Sequence, residues 1–337
     1  MPSSGSYSFS MNTSSIVTDA MQNIGKLGEG EGYSPQQLTD CTRKLNMIAK
    51  QWMGKQDFAP GMKMWTRVRG NLFLSSQKYL YNLGPTGDNW NDSTTNLAYP
   101  TQFNTDQLIG SSGFGSTALN VGVGSTGGYN VGDYVGIQST STNTTTGPAD
   151  LFWTSILSVD SVGGIVNVSN GNFSANANAF VFSYTNKGQR PLAIVTALLR
   201  DTFSNDTPLN FMTEEDYEYL PSKTQSSFQG DPTAIFYSSQ LGNGQLYIDV
   251  GGAQDVTKWL HLVYLRPVQD FVNPNDSMDY PIQWANALCW ELSKQSAPSY
   301  GVQWTETMEQ NRTSAIAMAR EPDSETSSMY FQCKEYP

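Results

Sequence analysis

A long stretch without any lysine or arginine constrains the organisation of this chain most. No basic residue lies between Lys78 and Lys187, although the whole sequence has 19 lysines and arginines and a net charge of −11. The same stretch has no glutamate, and methionine is missing from Trp65 to Phe211. Such a change in composition indicates a separately folded module. We therefore predict that residues 85–186 form a domain inserted between two flanks that fold together.

Short strands separated by turn residues fill the predicted insertion. Runs of β-branched and aromatic residues alternate with clusters of Gly, Asn, Ser and Thr, which is typical of antiparallel β-structure. Strands of this length and spacing favour a small β-barrel or sandwich. The flanks are expected to form a soluble core without it. The predicted strands are Ala118–Val123, Asp133–Gln138, Leu151–Ser158, Ile165–Ser169 and Ala179–Tyr184.

Both flanks carry helices with one apolar stripe. In the first flank, Ser34 and Pro35 mark a helix start and Gln37 completes a capping box. An amphipathic helix must bury its apolar face against a partner, so we predict a small helical bundle. The stripe of this helix comprises Leu38, Cys41, Leu45, Ile48 and Trp52, and three further helices are predicted at about 14–27, from Pro281 to before Pro298, and at about 303–320.

Antiparallel strands are predicted in the flanks as well. Two strands fall within Trp65–Leu83, and a short capped helical turn is predicted at Thr213–Tyr219. The strands Gln245–Val250 and Leu260–Leu265 are expected to pair with each other as a hairpin. Further strands are predicted at Leu192–Leu199 and Ala234–Ser238.

The predicted fold is therefore α+β. A discontinuous helical core with antiparallel strands, residues 1–84 and 187–321, would carry an all-β barrel or sandwich at 85–186. Residues 322–337 have no helical stripe and are predicted to form an extended C-terminal tail. Large apolar side chains on a polar segment usually cover a surface. The predicted partner contacts are those of the tail: Met329, Tyr330, Phe331 and Tyr336.

Charge and hydropathy argue against several classes of function. An acidic chain without a basic patch is not expected to bind nucleic acid sequence-specifically, although DNA can slide past an acidic surface. No apolar run is long enough to span a membrane, and the N-terminus lacks the regions of a secretion signal. The cysteines Cys41, Cys289 and Cys333 have no metal-binding spacing and are expected to be reduced.

Residues that could carry catalysis are few. His261 is the only histidine, and a strand would place it opposite Leu260 and Leu262. A structural role is therefore favoured, and most histidine-based triads and zinc sites are excluded. The glycine-rich stretch 110–117 lacks the lysine and the following helix of a phosphate-binding loop.

Two alternatives of a different class stay open. A tail-associated peptidoglycan hydrolase would need paired carboxylates, although nothing in the sequence places two across a cleft. A glycan-binding module would need exposed rings, although core packing explains most of those present. No catalytic, cofactor-binding or metal-binding residue is assigned. The carboxylates considered are Glu214, Glu215, Asp216, Glu218, Glu306 and Glu309, and the rings are Trp90, Tyr129, Tyr134 and Trp153.

Four segments of the flanks form a recognisable series. They are LNMIAKQWMGK at Leu45–Lys55, KYLYNLGP at Lys78–Pro85, the stretch Arg190–Thr224, and Leu262–Gly301 with its Tyr-Leu-Arg-Pro, Asp-Tyr-Pro and Pro-Ser-Tyr-Gly elements; the chain then ends in MYFQCKEYP. This series resembles the head-to-tail adaptor, or tail accessory factor, family of short-tailed bacteriophages, which is related to tail tubular protein A. The resemblance covers the flanks and not the insertion.

The resemblance implies a structural virion protein and not an enzyme. It implies a ring, expected to be a dodecamer, that joins the portal to the tail, extends the DNA channel and helps retain packaged DNA. The implied partners are sister subunits, the portal protein and a tail nozzle or fibre protein, with non-specific passage of double-stranded DNA and no membrane or cofactor. The implied location is the head–tail junction of the virion, after synthesis in the host cytoplasm. A tail tubular or nozzle-proximal ring protein remains the nearest alternative.

Overall fold

The computed structural model describes residues 9–54, 65–92, 103–140, 150–225 and 227–321. Most of this part of the chain is β-structure, which corrects the predicted fold class. Four sheets of five, four, six and two strands accompany five short helices, with 26% of residues helical, instead of a helical bundle with an inserted barrel. The prediction was wrong because the strands of the flanks form two sheets with a buried core of their own.

Two compact units divide the chain. The β unit comprises the described parts of 67–266, and the helical unit comprises the described parts of 1–66 and 267–321. The β unit therefore contains all the described residues of 85–186 together with strands from both flanks. The helices are α1 (Thr13–Asn23), α2 (Pro35–Gly54), α3 (Glu214–Glu218), α4 (Ala285–Ser296) and α5 (Glu306–Arg320), of which only α3 belongs to the β unit.

The helical unit is built around α4, against which α1, α2 and α5 all pack. Helix α2 begins as its sequence predicts. The N–H of Gln37 donates to Ser34 Oγ at 3.3 Å, and the N–H of Ser34 donates to Gln37 Oε1 at 2.7 Å, which is a complete capping box. The apolar stripe of α2 is buried against α4, and Trp52 and Trp284 lie in the same core. Within the described ranges, no helix combines the length and the apolar character that a membrane crossing requires.

Two sheets pack face to face in the β unit and form a sandwich. One buried core lies between them and takes alternate side chains from both, as the strand period requires. The five-stranded sheet has the order β11 (Asp206–Pro208), β10 (Ala193–Arg200), β17 (Trp259–Leu265), β1 (Arg67–Phe73) and β3 (Trp90–Asp92). The four-stranded sheet has the order β12 (Asn210–Phe211), β14 (Ala234–Ser238), β15 (Gly244–Ile248) and β2 (Leu80–Leu83).

Strands β15 and β17 do not form the predicted hairpin. Strand β15 pairs with β14 and β2, whereas β17 pairs with β10 and β1. The connection between them carries the chain from one sheet to the other, and its residues Val250 and Ala253 are buried in the shared core. Part of this connection pairs as β16 (Gly252–Ala253) with β13 (Gln229–Gly230). Strands β1 and β17 also bring the two ends of the β unit together, since Arg67 lies opposite Leu265.

Six strands between residues 103 and 184 form one sheet that curls into a half-barrel, where the sequence predicted a barrel or sandwich. The sheet curls, so that the N–H of Ile109, just after the first edge strand, donates to the carbonyl of Asn120 in the other edge strand at 2.8 Å. Its order is β4 (Phe103–Gln107), β9 (Phe180–Tyr184), β6 (Tyr134–Ser139), β7 (Asp150–Asp160), β8 (Ile165–Val168) and β5 (Ala118–Asn120).

A cluster of aromatic side chains joins the half-barrel to the sandwich. Phe73 of β1 and Trp259 of β17 project from the outer face of the five-stranded sheet, at one end of it. They pack against rings from the outer face of the half-barrel. We call this cluster the aromatic seam; it comprises Phe73, Phe103, Trp153, Phe182, Tyr184 and Trp259.

Candidate interaction surface

The predicted partner contacts of the tail, Met329, Tyr330, Phe331 and Tyr336, lie outside the described residues, as does Cys333. The other two cysteines, Cys41 and Cys289, are free and buried in the helical unit. Burial raises the pKa of the Cys289 thiol to about 12 and also raises that of Cys41. Both thiols are therefore protonated at neutral pH and poorly suited to act as nucleophiles.

His261 has a structural environment. It is buried on β17, and its Nδ1 lies 2.9 Å from Oδ1 of Asn71 on the neighbouring strand β1. Burial lowers the pKa of the imidazole, and the nearby charges of Arg200 and Arg69 lower it further, while Asp206 opposes them. The ring is therefore neutral at pH 7. It lies on the face of the sheet opposite Leu260 and Leu262, as the sequence predicts, and the hydrogen bond to Asn71 holds it there.

Two carboxylates of α5 were considered for hydrolysis: Glu309, which forms hydrogen bonds with other side chains, and Glu306, which is exposed. Glu309 accepts hydrogen bonds from Arg312, Lys294 and the indole of Trp304, at 2.7–2.8 Å from its nearest donors. These partners lower the pKa of Glu309 to about 2. A general acid must hold its proton near the working pH, so Glu309 cannot serve as one in this state. Glu306 is exposed on the preceding turn of the α5 surface.

The acidic cluster near residue 215 is organised by a helix start. Thr213 and Asp216 form a capping box for α3, in which each side chain bonds the backbone N–H of the other. Glu218 pairs with Lys223 at 2.8 Å, and Glu214 and Glu215 are exposed. Asp216 therefore acts as a capping residue, a role that the Thr-x-x-Asp spacing could have indicated from the sequence.

Most of the rings considered for glycan binding belong to the core. Trp90 and Tyr129 are buried, and Trp153 is part of the aromatic seam. Tyr134 is 37% exposed, and its ring stacks on Tyr184 at 5.0 Å. The glycine-rich stretch 110–117 continues into strand β5 and not into a helix, so it has no phosphate-binding geometry. The described residues contain no group of three or more His, Cys, Asp or Glu side chains that could hold a metal ion.

One concave surface in the helical unit runs along α2. We call it the α2 groove; its volume is about 1010 Å³. Asn46 ties α2 to the segment opposite, because its side chain donates to the carbonyl of Phe271 and accepts from the N–H of the same residue, both at 2.8 Å. An ion pair between Lys50 and Asp270, at 2.5 Å, adds a second tie. The groove is lined by Leu38, Met47, Val272 and Pro274 among apolar residues and by Arg43, Lys50 and Asp270 among charged ones.

Two apolar side chains of the α2 groove remain in solvent. Met47 is 61% exposed and Val272 is 70% exposed. An open, partly apolar surface with charged residues in its lining is typical of contacts with another polypeptide. This surface could not be predicted from the sequence because Met47 lies off the apolar stripe of α2, and Val272 lies in a segment without periodicity. The signal in the sequence was one apolar residue on the polar face of α2: Met47 lies between Arg43 and Lys50.

No protein-family model matches this chain, and no curated protein matches it either.

Proposed function

We propose that this chain is a structural subunit of a short-tailed bacteriophage, namely a head-to-tail adaptor. In this proposal it assembles as a ring, expected to be a dodecamer, between the portal protein and the tail nozzle or fibres. The ring extends the DNA channel and helps retain the packaged genome. The subunit is made in the host cytoplasm and resides at the head–tail junction of the virion.

One contact supports this proposal more than any other. Two of the four segments on which the resemblance rests, Leu45–Lys55 and Leu262–Gly301, lie far apart in the sequence. Trp52 and Trp284, one from each segment, pack ring to ring with centroids 5.7 Å apart and an edge-on angle of 61°. Two of the four segments that carry the resemblance therefore meet in the helical unit, while Lys78–Pro85 and Arg190–Thr224 belong to the β unit. A family pattern that is shared by segments far apart in the sequence is expected where those segments pack against each other in the fold.

Surface properties agree with a role in assembly. Met47 and Val272 leave apolar area in the α2 groove, which is the kind of surface that subunits of a ring cover on association. The net charge of −11 suits a channel through which DNA slides without binding.

Electron microscopy of the purified chain mixed with its cognate portal rings tests the proposal. We expect an additional ring of density below the portal. A chain cut after Asp323, which lacks the four apolar residues of the tail, is expected to keep its folded units and lose this density. A chain that never joins the portal, and that joins purified nozzle protein instead, would assign the neighbouring tail tubular ring. A chain that joins neither would contradict the proposal.

A further inference from the structure

Residues 322–337, the C-terminal tail, carry four apolar side chains that need a partner surface before assembly as well as after it. Met329, Tyr330 and Phe331 are consecutive, and Tyr336 follows them. In the proposed function these side chains bind the portal, which a newly made subunit has yet to meet. Large apolar side chains left in water favour non-specific association. A surface on the same chain that covers them would keep unassembled subunits apart.

The α2 groove is a surface of this kind. Its lining includes the apolar side chains of Leu38, Met47, Val272 and Pro274. Met47 and Val272 are both more than half exposed, so a partner that covers them removes apolar area from water. A methionine side chain also adapts its shape to a partner and makes favourable contacts with aromatic rings. The groove therefore suits a short aromatic segment.

Helix α5 ends at the same end of the helical unit as α2. Glu309, in the first turn of α5, accepts a hydrogen bond from Lys294 near the end of α4, and α5 also contacts the turn Ile282–Trp284 that precedes α4. Helix α5 thus runs back along α4. Trp284 packs on Trp52, which lies in the last turn of α2. The C-terminal tail therefore begins beside the end of α2.

The C-terminal tail is long enough to follow the groove from that point. The 20 residues of α2 form about 30 Å of helix. Residues 322–337 can span up to about 50 Å when extended. The tail of one chain can therefore reach every residue that lines the groove of the same chain.

Charge favours the same occupant. The C-terminal tail contains three acidic residues and one lysine. Among the charged residues that line the groove, Lys50 is paired with Asp270, and Arg43 is the remaining one. The side chain of Arg43 is 70% exposed, and its ion pair with Asp40 uses Nη2. A guanidinium has five N–H donors, so Arg43 can bind a carboxylate of the tail without leaving Asp40.

We propose that the C-terminal tail folds back on its own chain before assembly and places Met329, Tyr330 and Phe331 in the α2 groove. The covalent link gives the tail an effective concentration at the groove on the order of millimolar, so weak contacts are sufficient. When the portal binds the tail, the groove becomes available to the neighbouring subunit of the ring. This release rests on the proposed function, whereas docking in the free chain does not.

A single engineered cysteine in the groove tests the docking, because the tail has a cysteine of its own. Cys333 lies two residues after Phe331, and the other native cysteines, Cys41 and Cys289, are buried. In Val272→Cys treated with diamide, docking brings two thiols together, and we expect an intramolecular disulfide. Intact mass shows it as the loss of two hydrogen atoms within one chain. Adding Cys333→Ser should abolish it.

Gln310→Cys, on the exposed surface of α5, is the matched control, because an undocked tail would reach both positions. We expect the disulfide to form roughly tenfold faster in Val272→Cys, since docking raises the local concentration of the thiol. Adding Met47→Asp places a like charge against the acidic tail and should lower that rate to the control value. Equal rates in the two cysteine variants would overturn the docking. A disulfide between two chains would assign the groove to the tail of a second copy and would also overturn it.

Electron microscopy with portal rings tests the release. The oxidised Val272→Cys chain is expected to add no density below the portal, and reductant should restore the density. An oxidised chain that joins the portal as well as the reduced chain does would overturn the release and leave the adaptor function intact. If the reduced chain and the wild type join neither portal nor nozzle, the adaptor function fails, and the comparison of disulfide rates still decides the docking.

Discussion

The rings of Phe73 on β1 and Trp153 on β7 lie 4.9 Å apart, centroid to centroid. This contact joins a strand of the N-terminal flank to the half-barrel and lies within the aromatic seam. The composition break at residues 85–186 therefore does not mark a freely separable decoration. The half-barrel completes the burial of side chains that the sandwich presents.

Deleting residues 86–186 should unfold the sandwich, contrary to the soluble core expected from the sequence. The deletion removes β3 and with it Trp90, which is fully buried between Leu72 and Tyr264 in the core. A deletion of 93–185 keeps β3 but exposes Phe73 and Trp259, so we expect a folded chain that self-associates. Adding Phe73→Ser and Trp259→Ser to this shorter deletion should restore solubility. Circular dichroism and size-exclusion chromatography measure both properties, and a soluble, folded 86–186 deletion would contradict this assignment.

Replacing Trp284 by alanine should destabilise the helical unit by about 3–5 kcal/mol, the usual cost of removing a fully buried large side chain. Trp284 has no exposed surface and contacts Trp52 and Trp65 through its ring. Met47→Ala on the exposed side of α2 is the matched control and should change the free energy of unfolding little. Guanidinium unfolding followed by helical circular dichroism measures both. Equal losses in the two variants would show that the Trp284 contact contributes no special stability.

Acidification from pH 7 to pH 5 should destabilise the β unit through His261. The pKa of its buried ring is lowered from 6.5 in the folded state, so the unfolded chain takes up a proton first as the pH falls. The stabilisation is present above pH 6.5 and is lost as the pH decreases below that value. His261→Gln keeps a donor for Asn71 but cannot titrate, so its urea midpoint should vary less over this range. Parallel pH profiles for the two proteins would contradict the prediction.

The ion pairs of Glu309 should stabilise the helical unit near neutral pH and lose their effect in acid. Its pKa is lowered from 4.5 to about 2, so the stabilisation is present above pH 4.5 and decreases as the pH falls toward 2. Glu309→Gln should therefore be less stable than the wild type at pH 7, with a smaller difference at pH 3. Glu306→Gln, on the same helix and without an ion pair to any described residue, serves as the control. Thermal melts at the two pH values give the comparison.

Local signals in the sequence were sufficient for individual elements. The capping boxes at Ser34 and Thr213 depend on residues three positions apart, and both mark the helix starts seen in the structure. The side of the sheet that His261 occupies follows from a two-residue period. Such features depend on neighbours in the chain, and periodicity records them directly.

Pairing between distant strands could not be derived in the same way. Strand β17 lies between β1 and β10, and nothing in its own pattern distinguishes these partners from β15. The apolar stripes of the helices are longer and more regular than the alternating patterns of the short flank strands. The predicted fold class therefore overestimated the share of helix. The candidate surface could not be predicted for a related reason. The exposure of Met47 depends on how much of α2 the distant segment around Val272 covers.

The pairing of Arg67 with Leu265 has an evolutionary consequence. The first residue of β1 and the last residue of β17 are direct neighbours, so the polypeptide enters and leaves the β unit at adjacent points. A gene that lost the whole coding region between them would need only a tight turn to reconnect its ends. The β unit therefore has the connectivity of a single cassette, joined to the rest of the chain through two neighbouring ends.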